Sequence, residues 1–386
     1  MKLGLFLPPD VPETGGGFTF REELAANVVR LVAEFSRGEH QAVLLRLSGK
    51  RGERLLSDKL KAMSAAIARR LRPGKKVLSL LEHQIDCSEV DVVWFIDSHF
   101  HETDLPYFLT VFDLQHRLQP WFPEVSRNGV WGYREEFYAS AIKRASYVVS
   151  GSIQGSEEVK TFYCVPEFRS HVIPLPTPAS ALSGGFKYQG DIRPYYGLTG
   201  KYFYYPAQIW PHKNHRTLLS AWKLLKDELG SKCPMLVLSG AEKGYQSNIS
   251  KVIDDMELAN LCKYIGFVEA EEVYGLLSQA EGLVFPTLFG PDNIPPLEAM
   301  ALKTPVIVSD LSGCRQMYGD AAIYVDSLSP EDIARGVRFV MELSSGEREE
   351  LITSGFEYAK SCTINTYIEG MVQLLDRFEP YKRCWG

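Results

Sequence analysis

Two short apolar runs, Leu283-Val284-Phe285 and Val306-Ile307-Val308, bracket a loop and a proline-led helical segment. Both runs are β-branched or aromatic with no polar alternation, as strands covered on both faces require. The stretch Thr287–Asp310 between and around them reads TLFGPDNIPPLEAMALKTPVIVSD. Pro295 and Pro296 stand where a helix accepts proline, in its first turn, and Glu298-Ala299-Met300-Ala301-Leu302 are good helix formers. A loop that leaves the carboxyl end of a parallel strand and feeds a helix start is where open α/β sheets bind phosphorylated ligands. Neither proline offers an N–H, so the free donors there are Asn293, Ile294 and Leu297, with the Glu298 carboxylate close behind. Asn293 is a good N-cap in its own right. Glu298 has two readings, a residue that satisfies or caps the helix dipole and an acceptor for ribose hydroxyls.

The same strand-then-helix grammar runs through the chain. Strands are predicted at Lys2–Leu7, Gln41–Leu47, Val77–Leu81, Val92–Asp97, Tyr107–Phe112 and Tyr147–Ser150, with helices at Phe20–Phe35 and Tyr133–Ala145. Between Ile173 and Gly200 the pattern lapses into a Pro- and Gly-rich stretch that reads as a domain boundary. Alternation then restarts with strands Tyr202–Tyr205, Met235–Ser239, Tyr264–Phe267 and Leu283–Phe285. Helices are predicted between them, from about Asn214 to Leu229, at Ile249–Leu258 and at Ala270–Ala280, and an amphipathic helix closes the chain at Ile364–Phe378. The expected organisation is α/β, with two doubly wound domains, 1–180 and 195–363, and a last segment, 364–386, packing back on the first. A cleft between two such domains is a favoured ligand site.

Charge separates one segment from the rest. Lys50–Lys76 holds ten Lys/Arg against Glu53 and Asp58, a balance of +8 inside a chain of net charge −6. Leu56, Leu60, Met63, Ile67 and Leu71 recur there at helical spacing, so one stripe packs inward. The opposite face is either simply solvated or meets anionic lipid or a phosphate-bearing acceptor. No aromatic interleaving accompanies the patch, which argues against nucleic acid. No apolar run reaches the ~20 residues that span a bilayer, and MKLGLFLPPD breaks too early for a signal peptide. The seven cysteines are scattered without C-x-x-C spacing, which favours reduced thiols in the cytoplasm.

Several residues could carry chemistry. Lys213, in QIWPHKNHRTLL, stands at or just before a helix start, where a cation is unfavourable unless an anion lies between. It is either a solvent-pointing lysine or half of a diphosphate clamp that converges with the donors around Asn293. His212 and His215 flank it without a third ligand, so hydrogen-bonding or exposed histidines are preferred to a metal pair. Gly15-Gly16-Gly17 follows the first strand, and lets backbone N–H groups approach a phosphate or sugar or simply turns the chain. Asp113 and His116 end a strand at the same sheet edge, as a hydroxyl-orienting pair or a structural one. His99 and His101 rank lower. No Asp-x-Asp occurs, which gives no support to a metal–diphosphate site of that type.

Together these residues resemble the retaining glycosyltransferases of family 4, which have the GT-B fold of two Rossmann-like domains facing across a cleft. The resemblance is strongest over Lys201–Asp326, in YYPAQIWPHKNH, GFV, LFGPDNIPPLEAMALKTPVIVSD and DAAIYVD. PPDVPETGGGFTF and DLQHRLQPWFPE extend it to the first half. It implies that Lys213 binds the donor diphosphate and Glu298 the ribose. By the same resemblance Gly266, Phe267 and Val268 face the base, and Asn293–Ile294 hold phosphate and sugar. Gly16 and Gly17 join the donor site, and His116 or Asp113 positions sugar or acceptor hydroxyls. Three positions depart from the family pattern: Gln208, still counted among the donor-binding residues, replaces an arginine, Gly290 a glutamate, and Phe112 the histidine before Asp113. With Gly290 lacking a carboxylate, Asp292 becomes a candidate sugar contact beside Asn293.

The implied activity is metal-independent transfer of a sugar from a nucleotide diphosphate donor, GDP-mannose favoured, to a glycan or lipid-linked acceptor in surface polysaccharide synthesis. No cofactor is expected. The expected location is cytoplasmic, peripheral at the inner face of the membrane if the 50–76 helix meets lipid. The departures motivate a second reading, a nucleotide-sugar-binding partner subunit with little catalysis. A sugar epimerase of the same fold is a third.

Overall fold

The computed structural model describes residues 1–8, 16–46, 88–96, 103–183, 188, 190–242 and 249–385. The predicted strand Val77–Leu81, the basic 50–76 helix, Gly15, His99 and His101 lie outside them. The first half holds strands β1 (Lys2–Leu7), β2 (Gln41–Arg46), β3 (Val92–Phe95), β4 (Tyr107–Val111), β5 (Tyr147–Ser150) and β6 (Ser170–Val172). The second holds β7 (Tyr202–Pro206), β8 (Met235–Ser239), β9 (Cys262–Tyr264), β10 (Gly282–Phe285), β11 (Val306–Ser309) and β12 (Ile323–Val325). Among the described residues these form two six-stranded sheets, ordered β2-β1-β3-β4-β5-β6 and β12-β11-β10-β7-β8-β9. Every pairing is parallel.

Burial on both faces explains why these strands read so clearly as apolar runs. In β4 all five residues are buried, and in β7 the run Tyr202-Phe203-Tyr204-Tyr205 is wholly enclosed. Three buried phenols in one strand need partners. Tyr202 donates to the Leu276 carbonyl at 2.7 Å, Tyr204 pairs with Ser239 Oγ at 2.6 Å, and Tyr205 donates to the Lys213 carbonyl at 2.6 Å. The last of these anchors a candidate functional loop directly to the core.

The closing helix, Ile364–Lys382, packs on the first half, its Tyr367, Ile368, Met371 and Phe378 sharing a core with Phe20, Leu24, Val28 and Trp94. The Thr177 N–H donates to the Cys362 carbonyl at 2.8 Å where the chain crosses between the halves. No helix among the described residues is long and apolar enough to cross a membrane.

Two elements differ from the sequence reading in ways that matter for the site. The first helix starts at Gly16 rather than Phe20, so Gly16 and Gly17 lie in its first turn, among the N–H groups that lack intrahelical partners. The strand predicted at Tyr264–Phe267 lies instead at Cys262–Tyr264. Gly266, at φ +75°, turns the chain out of the sheet, and its carbonyl accepts from the Gly240 N–H at 2.8 Å. The helices Ile153–Tyr163, Pro330–Glu342 and Ser345–Ser361 have no counterpart in the sequence reading.

Candidate functional site

The second sheet reverses its winding between β7 and β10. Ligands of open α/β sheets bind in the crevice at such a switch point, beyond the carboxyl ends of the strands. Here the loop after β7 carries Lys213 and the loop after β10 carries Asn293. The two loops are laced together, because the Leu288 N–H donates to the His212 carbonyl at 2.8 Å. Asn214 completes the lacing. It sits in the left-handed region at φ 61°, ends a 3-10 turn at Pro211–Lys213 and begins the helix His215–Leu229. Its amide donates to the Pro286 carbonyl at 3.1 Å and the Ser327 carbonyl at 2.6 Å.

This framework brings the Lys213 ammonium to 3.5 Å from Asn293 Oδ1 and 5.0 Å from the Phe285 ring centre. No carboxylate forms an ion pair with Lys213 among the described residues. Burial pushes its pKa down to about 8, opposed in part by the charges of Asp113 and Glu124. Such an ammonium, in no ion pair among the described residues, is one that an anion would stabilise.

Asn293 occupies the N-cap position of the helix Ile294–Ala301 but its side chain makes no capping hydrogen bond. The cause is local. A capping oxygen accepts from the second or third helical N–H, and here those residues are Pro295 and Pro296. The amide turns instead to the Phe289 carbonyl at 3.2 Å and toward Lys213, leaving the Ile294 N–H at the helix start. Glu298, one turn further in, is too late in the helix to cap it. Its carboxylate accepts from the Tyr274 hydroxyl at 3.3 Å, and burial, against that bond, raises its pKa to about 7.

Asp292 joins the two halves. Its Oδ2 accepts from Ser152 Oγ at 3.1 Å, where Ser152 also caps the helix Ile153–Tyr163. A Cβ added to Gly151 would meet the Asp292 carboxylate at 3.0 Å, so a side chain there would press that carboxylate aside. Asp292 Oδ1 is buried without a partner, and burial, partly offset by Ser152, raises the carboxyl to about 7.

A second bridge was not visible in the sequence. Glu124 accepts from both the ring Nδ1 of His212 and its backbone N–H, the latter at 2.9 Å. The imidazole stacks on Phe289 at 4.0 Å, and Phe122 packs edge-on against the same ring at 5.2 Å. Gln119 donates to the Leu288 carbonyl at 2.6 Å. His212 thus braces the interface, and His215 is fully buried against Tyr205, so neither is poised as one of a metal pair.

The remaining predicted residues divide. Asp113 keeps 40% of its side chain exposed and pairs with Arg134. His116 is fully enclosed: its Nε2 lies 3.3 Å from Glu135, which also binds Arg117, and its ring stacks on Tyr138. The ring is enclosed as the chain stands, which favours the structural of the two readings for His116. Gln208 accepts from Trp210 Nε1 at 2.8 Å, so its side-chain oxygen is already engaged. Phe112 packs against Phe20 in the first core. Gly266, Phe267 and Val268 form the loop beyond edge strand β9, with Phe267 exposed and Val268 buried. A hollow of about 530 Å³ lined by Ser220, Lys223, Asp255 and Glu331 shares no residue with this site.

The two raised carboxyls make a stability prediction. A carboxyl whose pKa rises on folding stabilises the fold fully below its unfolded pKa and loses that contribution as pH rises through the folded value, here about 7. Asp292→Asn combined with Glu298→Gln should therefore flatten the fall in thermal midpoint between about pH 5 and pH 8. Glu124 and His212 act oppositely toward acid, since folding holds both below their ordinary values, and they are unchanged in the variant. A double variant with the wild-type slope would show that neither carboxyl titrates with folding.

Residues 196–358 match the family described as Glycosyl transferases group 1. The O-antigen chain mannosyltransferase RfbU of Salmonella typhimurium is 31% identical over 131 residues, 34% of this chain and 35% of that protein. O-antigen chain mannosyltransferase B of Escherichia coli is 29% identical over 173 residues, 43% of this chain and 44% of its own length. These alignments span between a third and a half of either relative. Among solved structures, WaaG, a glycosyltransferase involved in lipopolysaccharide biosynthesis, superposes with TM-score 0.66 at 13% identity, over 96% of this chain and 99% of that one. Anabaena HepE in complex with UDP superposes with TM-score 0.63 at 14% identity, over 98% and 100% of the two chains. At such identities the likeness carries the fold, and the fold is GT-B.

Proposed function

We propose that this chain is a retaining glycosyltransferase that moves a sugar from a nucleotide diphosphate donor, GDP-mannose favoured, to a glycan or lipid-linked acceptor in surface polysaccharide synthesis. The observation that carries this reading is Lys213, an ammonium with no anionic partner among the described residues, held 3.5 Å from Asn293 at the sheet's switch point. The match of residues 196–358 to Glycosyl transferases group 1 and the mannosyltransferase names of the partial relatives support the same reading.

In this mechanism charge develops on the departing diphosphate. Lys213 and the Ile294 N–H stabilise it, while Glu298 takes the ribose and the Gly266–Val268 loop faces the base. Asn293 and Asp292 contact the sugar, the Gly16 and Gly17 N–H groups approach from the first half, and Asp113 orients a hydroxyl. The acceptor attacks from the face the diphosphate leaves, so no protein nucleophile and no resident metal is required. The chain would act in the cytoplasm, with any lipid contact made through the 50–76 segment.

The test is thermal stabilisation by a panel of nucleoside diphosphates and nucleotide sugars, followed by transfer assays. A cognate donor at about 100 times its Kd should add about 2.7 kcal/mol of stability. No stabilisation by any member of the panel would sink the reading. Stabilisation without turnover would favour the binding-subunit alternative, with which the engaged side chain of Gln208 is consistent.

A further inference from the structure

Exposed aromatics lie in, and just after, the 119–124 segment that touches this site. Trp121 is 69% exposed, Tyr133 59% and Trp131 39%. Such surface is costly to leave in water, and these three fall within thirteen residues of one another. The segment around Trp121 is firmly held. Gln119 donates to the Leu288 carbonyl at 2.6 Å, Phe122 packs on Phe289 at 5.2 Å, and Glu124 accepts from the His212 N–H at 2.9 Å. All three anchors are in the two loops that hold Lys213 and Asn293. Trp121 therefore projects from a backbone fixed against the donor loops, at the margin of the proposed transfer site.

Trp131 is held as well. Its indole N–H donates to the His116 carbonyl at 2.7 Å, which orients the ring while leaving part of it in solvent. Between the aromatics, Arg127, Asn128, Gly129 and Gly132 are exposed. The composition is that of a surface for pyranose rings. Flat apolar faces cover sugar C–H groups, while a guanidinium and an amide reach the hydroxyls. A membrane fits less well, because residues 119–136 carry Arg127 and Arg134 against Glu124, Glu135 and Glu136, which gives anionic lipid no attraction.

We propose that Trp121, supported by Trp131 and Tyr133, is a stacking rim that binds the acceptor glycan beside the transfer site. The proposal rests on the glycosyltransferase reading for the role of the glycan, but the binding surface is testable alone. The probes are α-mannosyl, galactosyl and N-acetylglucosaminyl oligosaccharides of two to five units. They are titrated against the full chain by intrinsic tryptophan fluorescence and calorimetry, with GDP and UDP binding measured in parallel. Wild type should bind at least one saccharide, and Trp121→Ala should weaken that binding about tenfold while nucleotide affinity stays within about twofold. Phe168→Ala, which removes an equally exposed aromatic from a turn elsewhere, should change neither. Saccharide binding in the absence of any nucleotide binding would keep the rim and overturn the donor assignment. No saccharide binding by wild type, equal binding by Trp121→Ala, or loss in that variant of adsorption to phosphatidylglycerol vesicles alone would each overturn the rim.

Discussion

Lys213→Ala should lower the rate of sugar transfer by about 10²–10³-fold at saturating donor, the usual effect of removing one donor from a site of developing negative charge. The variant should remain folded, because Lys213 contributes charge rather than packing to the loop. Its carbonyl, the atom that Tyr205 holds at 2.6 Å, belongs to the backbone and survives the substitution. Without ligand the variant should be somewhat more stable than wild type near neutral pH, since an ammonium that burial lowers to about 8 is there held charged against its environment. Binding of nucleoside diphosphate should reverse that shift by supplying the missing anion. Affinity is then linked to proton uptake, so wild type should bind less tightly as pH rises above about 8, and Lys213→Ala should lose that dependence. Near-normal transfer in the variant would remove Lys213 from the diphosphate site. A normal pH profile of binding would do the same without reference to catalysis.

The fold was legible because its dominant signal is local. A parallel strand covered on both faces must be almost continuously apolar, so β1, β5, β7, β8 and β10 could be read nearly to the residue. The helix Ile153–Tyr163 lies outside the sequence reading, although Ser152, a good capping residue, marks its start. At the candidate site, the meeting of Lys213 with Asn293 followed from two loops at one sheet edge. What failed had causes outside the local sequence. Asn293 looks like a cap until the two prolines that follow are seen to have no N–H to give. The enclosure of His116 by Glu135 and Tyr163 comes from residues 19 and 47 positions away, which no local pattern signals. The Glu124–His212 bridge joins residues 88 apart, and no periodicity encodes such a pairing.

Asn214 is where stability and the candidate site depend on the same atoms. It is buried, its backbone is left-handed at φ 61°, and its amide supplies hydrogen bonds to two carbonyls on different loops. Asn214→Ala removes both donors and leaves the Pro286 and Ser327 carbonyls without these partners in a buried setting. It also places a residue without local hydrogen-bonding capacity in a conformation that alanine disfavours. The expected loss is about 2–4 kcal/mol in chemical denaturation, with the dependence on denaturant unchanged. Two further substitutions separate the causes. Asn214→Gly relieves the backbone but not the lost donors, so it should recover only about 1 kcal/mol. Asn214→Asp keeps the shape but turns an acceptor toward two carbonyl oxygens, so it should be at least as damaging as alanine. Because Asn214 also sets the backbone just after Lys213, all three variants should weaken nucleoside diphosphate binding beyond what their unfolded fraction explains, Asn214→Gly included. If Asn214→Gly matched wild type in stability, the two carbonyls would not depend on this amide, and its hold on the Lys213 loop would be backbone geometry alone.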